Sequence, residues 1–519
     1  MKSIFTLLFS FLCIAAFSQT RYLDAQFEVE VESGVTYGTN IGVLTGMPAP
    51  EELKMDIYTP KDDTVTNRPV ILVSHTGSFL PPIINGQATG ARNDGTVVYM
   101  AEQLAARGYV VAAYSYRLGW NPVSPDQDVR TSTLLQAAYR GIQDTRNCVR
   151  FFRHSADMGG NPYGIDPDKI GVAGVGTGGY MALGAGSLYQ FEEVTIDKFI
   201  SQATLTPYID STLWGNVFGD TQALACLPNF PGYSSEIAFS FNIGGALGDS
   251  SWIDGDAQES AFAGVHATSD IFAPYTEGNV IVPTTNEFVV QVAGTRAAIE
   301  YANQKGNNDI FNDLDPENDP LSDLIDVQKE TDITLYTMQT LKAGTDNFYS
   351  FATPFPQGSP WDWWDKNVLD ATVAAINMQL GTDYNSDEIH MSGLATNPDM
   401  SPMKGQTYLD SCFMLMLPRA CVAFDLGCYT SSNTKELLSP SDVNLTIAPN
   451  PASESMRFTV DTDEDIQSLR LYDINGKLIR VYDVNSSEYT IQRDNLQSGV
   501  YLVQLVFNKG LLTDKVIFK

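Results

Sequence analysis

The sequence predicts an α/β fold, a mostly parallel sheet covered by helices on both faces, followed by a small all-β sandwich. Three observations carry that expectation. Short apolar, β-branched runs alternate with segments of helical spacing up to about residue 430, the pattern of strands buried on both faces. A polar Ser/Thr-rich stretch, "YTSSNTKELLSPSDVN", then interrupts the chain. Beyond it, alternating strands with turn signals at Asn475-Gly476 and Ser498-Gly499 replace the helices. The 519 residues suit one large domain with smaller ones attached, and 43% hydrophobic residues supply a substantial core.

The first segment, residues 1–18, reads as a secretory signal peptide. Lys2 precedes an apolar run too short to cross a bilayer, and Ala16-Phe17-Ser18 forms a small-residue cleavage site. The large domain is expected over 19–430. Within it "ELKMDIYTP" alternates as a strand and "RPVILVSHTG" is a buried run. "VVYMAEQLAARG" has helical spacing, "YVVAAYSYRLG" is the next strand, and "TLLQAAYRGIQDTRNCVRFFRHSA" is a long amphipathic helix. Later strand candidates are "IAFSFNIGG", "AFAGVHATSD" and "TLYTMQTLKAG". Residues 185–232 and 275–330 break the alternation and are expected as cap insertions. The second holds Asp313, Asp315, Glu317 and Asp319, spaced like calcium ligands. It lacks the central glycine and closing Glu of such a loop, so a solvated acidic loop is expected. The linker is placed at 431–441 and the sandwich at 442–519.

Charge narrows the partners. With 31 basic against 62 acidic residues, a net of −31, the field repels nucleic acid and anionic membranes and suits an exported soluble protein. After removal of Cys13 with the signal, Cys148, Cys226, Cys412, Cys421 and Cys428 remain. The odd count leaves at least one thiol unpaired, and the last three are close enough for one local disulfide that spacing does not select. No cysteine or histidine has metal-ligand spacing, so neither metal nor cofactor is expected.

Chemistry is concentrated at "KIGVAGVGTGGY", residues 169–180, where a strand meets a helix through glycines. That is the layout of a G-x-S-x-G nucleophile elbow, with Gly176 in the serine's place. Thr177 offers a hydroxyl, but the residue after the nucleophile supplies a backbone donor and points its side chain elsewhere.

A family likeness runs through the domain. "LKMDIYTP", "SHTGSF", "ARGYVVAAYSYRLG", "YRGIQDTRNCVRFFR", "GIDPDKIGVAGVGTGG", "NIGGALGDSSWI" and "HATSDIFAPY" occur in the order of secreted carboxylesterase-like α/β-hydrolases, which residues 50–430 resemble. "IAPNPAS", "LYDINGKLI", "LQSGVYLVQL" and the final "KVIFK" make the C-terminal block similar to type IX secretion sorting domains. The likeness implies Sec export, then passage across an outer membrane by the type IX machinery to the surface or medium.

The hydrolase resemblance implies a triad in the order nucleophile, acid, histidine. Asp270 falls where the acid belongs, with a loop carboxylate capping local N–H groups as the alternative. Taking "TLYTMQTLKAG" as the final strand puts Asp346 in the histidine's place, and aspartate does not relay a proton as imidazole does. His75, Gly77 and Ser78 match the oxyanion loop, to which the N–H of Thr177 adds a donor. His390 is the one histidine without another assignment. The expectation is a hydrolase fold without serine-hydrolase chemistry, holding a small-molecule, ester or carbohydrate ligand for which Trp361, Trp363 and Trp364 offer stacking faces. An active esterase with a rearranged site and a structural surface component are the alternatives.

Overall fold

The continuously apolar runs become strands whose alternate residues face two helical layers. The structure is a computed structural model that describes residues 20–281, 287–429, 436–462, 465–473, 478–507 and 510–519. The expected signal peptide, the Asn475-Gly476 turn and much of the linker lie outside the described residues. Eight strands form the main sheet: β1 (Val29–Gly42), β2 (Ala49–Pro60), β3 (Arg68–Ser74), β4 (Val110–Tyr114), β5 (Ile165–Val175), β6 (Phe239–Ile243), β7 (Ala261–Ala267) and β8 (Phe348–Phe351). Their order is β1-β2-β4-β3-β5-β6-β7-β8. The pairs β1/β2 and β2/β4 are antiparallel and all others parallel.

Among the described residues, the α-helices longer than one turn are α1 (Gly95–Ala105), α2 (Gln127–Asp157), α3 (Thr177–Ser187), α4 (Thr295–Lys305), α5 (Ser322–Glu330), α6 (Lys366–Leu380), α7 (Ser386–Thr396) and α8 (Pro402–Ala423). Leu72, Val172 and Phe262 pack with Val149 and Phe152 of α2, Leu183 of α3 and Ala298 of α4. Ile71, Val73, Ala173 and Phe241 point the other way, to Leu104 of α1 and Leu409 and Phe413 of α8. Both faces of the sheet are thus covered, which is why β3, β4 and the second half of β5 carry no polar alternation, while β6 buries Ser240 and Asn242.

Three expectations need correction. The stretch 185–232 is not an overhang: 185–187 finish α3, and the rest packs along α2, where Gln143 Nε2 donates to Trp214 O at 2.7 Å and Arg150 Nη1 to Phe218 O at 2.8 Å. The segment 275–330 contributes α4, part of the packed helical layer, so it too is not an overhang. "TLYTMQTLKAG" is not the last sheet strand. It folds on itself as a hairpin, Asp332–Thr334 against Thr340–Lys342, closed by Leu335 N donating to Gln339 O at 2.9 Å. The four-residue β8 takes the edge beside β7 instead.

One carboxylate of the acidic loop is paired by a cation from α8, and another is capped by a backbone N–H within the loop. Asp319 pairs with buried Arg419 at 2.8 Å, and Asp315 accepts from Glu317 N at 3.0 Å. Of the cysteines, Cys421 and Cys428 form a disulfide, while Cys148, Cys226 and Cys412 are free and buried. Among the described residues no helix is long and apolar enough to cross a membrane, and no group of side chains has metal-site geometry.

The chain divides into two compact units between Cys428 and Tyr429. In the second, a five-stranded sheet includes Ile466–Asp473 and Gly499–Val506, and a three-stranded one is built from Thr446–Ala448, Ser455–Thr459 and Glu488–Gln492. Met456, Phe458, Leu471 and Val503 fill its own core.

Candidate functional site

In a parallel sheet, groups at the carboxyl ends of the strands converge on one edge. At that edge β5 ends and α3 begins, and Gly176 between them has φ 55° and ψ −118°. Its N–H donates to Ile243 O at 2.9 Å, which fastens the turn to β6. This is a tight strand-to-helix turn in a conformation that glycine adopts without strain. The space a side chain would take here is filled from across the edge. A Cβ on Gly176 would overlap Thr76 Oγ1 and lie 3.0 Å from Thr76 Cβ.

Thr76 belongs to the loop that follows β3. His75 is buried, and its ring stacks on Tyr116 with centroids 4.6 Å apart and planes 14° apart. His75 Nδ1 donates to Thr76 O at 2.6 Å, and burial pushes its pKa down to about 4, so the ring is neutral near pH 7. Tyr116 OH donates to His75 O at 2.9 Å and lies 3.2 Å from Thr177 Oγ1. The Thr177 hydroxyl is therefore engaged sideways, away from the nucleophile's position. Gly77 and Ser78 have φ of 121° and 55°. Asn85 Nδ2 holds the Gly77 carbonyl at 3.2 Å and Trp120 Nε1 the Ser78 carbonyl at 2.7 Å. The N–H groups of Gly77 and Ser78 donate to no acceptor among the described residues. With the first-turn N–H of Thr177, they remain open donors.

Asp270 follows β7 at the same edge. Its Oδ1 accepts from Phe272 N at 2.7 Å and Ala273 N at 3.2 Å, and its Oδ2 lies 3.3 Å from His266 Nε2. His266 Nε2 faces two acceptors, Asp270 Oδ2 and Ala273 O at 3.2 Å, so it must carry a proton. The other ring nitrogen lies 2.6 Å from Thr295 Oγ1. His266 is wholly buried, and this pair has no access to a substrate.

The structure does not bring Asp346 to Asp270. Asp346 precedes β8, at the other end of the sheet, where its carboxylate pairs with Lys329 at 2.7 Å. The loop after β8 is what reaches Asp270. There Gly358 packs so closely that an added Cβ would lie 3.0 Å from Asp270 Cα and 3.0 Å from Oδ1. That close approach leaves no room for a side chain at position 358 beside the carboxylate. His390, on α7, accepts from Trp364 Nε1 at 3.1 Å. The three tryptophans fill notches in the protein. Trp361 is 1% exposed, and Trp363 and Trp364 pack against Gly405 and Gly393.

Two carboxyl groups that the sequence did not single out gather at the same edge. Asp94 Oδ2 accepts from Gly90 N at 2.7 Å and Ala91 N at 3.0 Å, and Asp362 Oδ1 from Thr96 Oγ1 at 3.0 Å. Burial raises Asp94 to about 6. Burial, then the charges of Asp94 and Asp270, raise Asp362 to about 7. The folded state then binds more protons than the unfolded chain between about pH 4 and 7, so this contribution to stability falls as pH rises. Asp362→Asn keeps an acceptor for Thr96 and removes that penalty. In urea unfolding it is expected to stabilise by roughly 1–2 kcal/mol more at pH 8 than at pH 5, after allowance for solvent. An equal gain at both pH values would show that Asp362 titrates normally.

The family described as BD-FAE matches residues 55–211, which include Thr76 and Gly176, and the secretion system C-terminal sorting domain matches 446–519. The chain carries an α/β-hydrolase-like domain and a C-terminal type IX secretion sorting domain. No curated protein matches it. Solved structures similar to the hydrolase-like domain include a truncated carbohydrate esterase from gut microbiota, 17% identical, covering 50% of this chain and 82% of that one with a TM-score of 0.28. Another is Thermogutta terrifontis esterase 2 phosphorylated by paraoxon, 18% identical, covering 50% and 77% with a TM-score of 0.27.

Proposed function

We propose that this exported α/β-hydrolase-fold protein is a binding protein without serine-hydrolase activity, displayed or released through its sorting domain. The observation that carries the reading is Thr76 occupying the volume of a nucleophile's side chain over Gly176. Gly358 against Asp270 supports it, because attack by a hydroxyl needs an imidazole beside the acid to take its proton. The open donors of Gly77, Ser78 and Thr177 leave a place where a small-molecule, ester or carbohydrate ligand can be held by its oxygen atoms.

Purified protein is expected not to react with a fluorophosphonate probe, and to turn over short-chain and aryl esters at the rate of buffer. Stoichiometric labelling, or turnover lost on Thr177→Ala, would establish an active hydrolase with a rearranged site.

A further inference from the structure

The vacated site is bordered by two aromatic rings that face solvent. Tyr336, at the turn of the Asp332–Lys342 hairpin, is 48% exposed, and Phe355, in the loop after β8, is 65% exposed. Their centroids are 5.7 Å apart with planes at 40°. The rings are held by ordered elements. Leu335 is buried beneath the hairpin. Thr353 O accepts from Ser269 Oγ at 2.7 Å, and Thr353 N donates to Thr268 Oγ1 at 3.1 Å, so the Phe355 loop is fastened to the loop that carries Asp270. Tyr336 senses this neighbourhood: burial, then the Asp270 charge, raise its pKa. Its hydroxyl bonds to no protein group among the described residues, although the phenol is a donor and acceptor.

We propose that Tyr336 and Phe355 form a stacking platform for a sugar ring of a neutral polysaccharide chain, beside the vacated catalytic edge. This rests on the binding-protein reading and gives it a ligand class. Three considerations select the occupant. The two exposed rings offer roughly 250 Å² of apolar surface, well short of the ~800 Å² per partner of a stable protein interface. They are open rather than enclosed, which suits one residue of a chain that continues over the surface. A net charge of −31 repels anionic polymers, and the uncharged rings match an uncharged sugar chain. On such a platform the C–H face of a pyranose lies on the rings while its hydroxyls stay in water or reach the free Tyr336 hydroxyl.

The test is native electrophoresis of the full chain through gels containing a mannan, a β-glucan, a xylan or polygalacturonate. At least one neutral polymer is expected to retard the protein. Tyr336→Ala and Phe355→Ala should each weaken that binding about tenfold, as loss of a stacked ring worth about 1.4 kcal/mol requires. Met378→Ala, an exposed residue on α6, should not. Both ring variants should melt with the wild type, since neither ring is in the core.

No retardation by any neutral polymer, retardation by polygalacturonate alone, or retardation unchanged in the double variant would each overturn the platform. So would a concentration-dependent dimer that the double variant abolishes, which would identify a second copy as the occupant. Ester turnover is scored separately, so an active enzyme that still needs both rings to bind would sink the binding-protein reading and leave the platform standing.

Discussion

Gly176→Ser is expected to destabilise the protein and leave ester hydrolysis at background. Two costs combine. A serine must adopt φ near 55°, a conformation worth about 1–2 kcal/mol of strain away from glycine. Its Cβ also collides with the Thr76 hydroxyl, and rotating that hydroxyl away leaves Thr76 Cβ still 3.0 Å distant. The second cost is removed by Thr76→Gly, so the two substitutions should be coupled. In a double-mutant cycle of urea unfolding, Thr76→Gly/Gly176→Ser should recover about 1–2 kcal/mol relative to the sum of the single effects. Additive effects would mean that Thr76 does not occupy the vacant position. Even the double variant should stay inactive, because Asp270 is committed to His266 and to two backbone N–H groups. Adding Gly358→His places an imidazole at the acid, but its Cβ must displace Asp270, and misplacement by an ångström is enough to keep the rate low.

This coupling marks where sequence reasoning reached and where it stopped. The elbow was legible because strand, glycines and helix follow one another in twelve adjacent residues, 169–180, and local chemistry dictates the turn. The buried strands were legible because a strand covered on both faces leaves an unbroken apolar run. Thr76 stands within "SHTGSF", but its reach to Gly176 is not legible there, since that contact spans a hundred residues and depends on β3 lying beside β5. Asp94 and Asp362 were missed for the same reason. Each is an ordinary surface carboxylate in sequence, and burial by distant segments is what sets its proton affinity.

The displaced histidine position has a more specific cause. "TLYTMQTLKAG" alternates well enough to read as a strand, and it is one, but it pairs with itself. The true edge strand, Phe348–Phe351, is four residues long and gives almost no periodic signal. Reading that hairpin as the last strand points to Asp346, whereas the loop after the true edge strand meets Asp270 about a dozen residues later, at Gly358. The tryptophans read as ligand-stacking rings for the same reason, since in sequence they lie just beyond that segment.

Trp361→Ala is therefore expected to act on stability rather than on ligand affinity, with a loss of about 3–5 kcal/mol. The indole is wholly enclosed. Its Cζ2 lies 2.6 Å from where a Cβ on Gly244 would stand, and its ring meets Phe351 of β8 at 6.3 Å. Its carbonyl accepts from Thr96 Oγ1 at 2.9 Å, tying the loop after β8 to α1. Removing the ring leaves a cavity between β6, β8 and that loop, directly behind Asp270, and the backbone on either side is hydrogen-bonded too firmly to collapse into it. Urea unfolding should show the midpoint falling with little change in slope, the mark of lost stability rather than a looser unfolded state. Tyr336→Ala is the contrasting variant, with an exposed ring whose loss should leave the midpoint unchanged. If Trp361→Ala unfolds like the wild type, the indole is not the packing element described here, and a ligand-facing role for it returns.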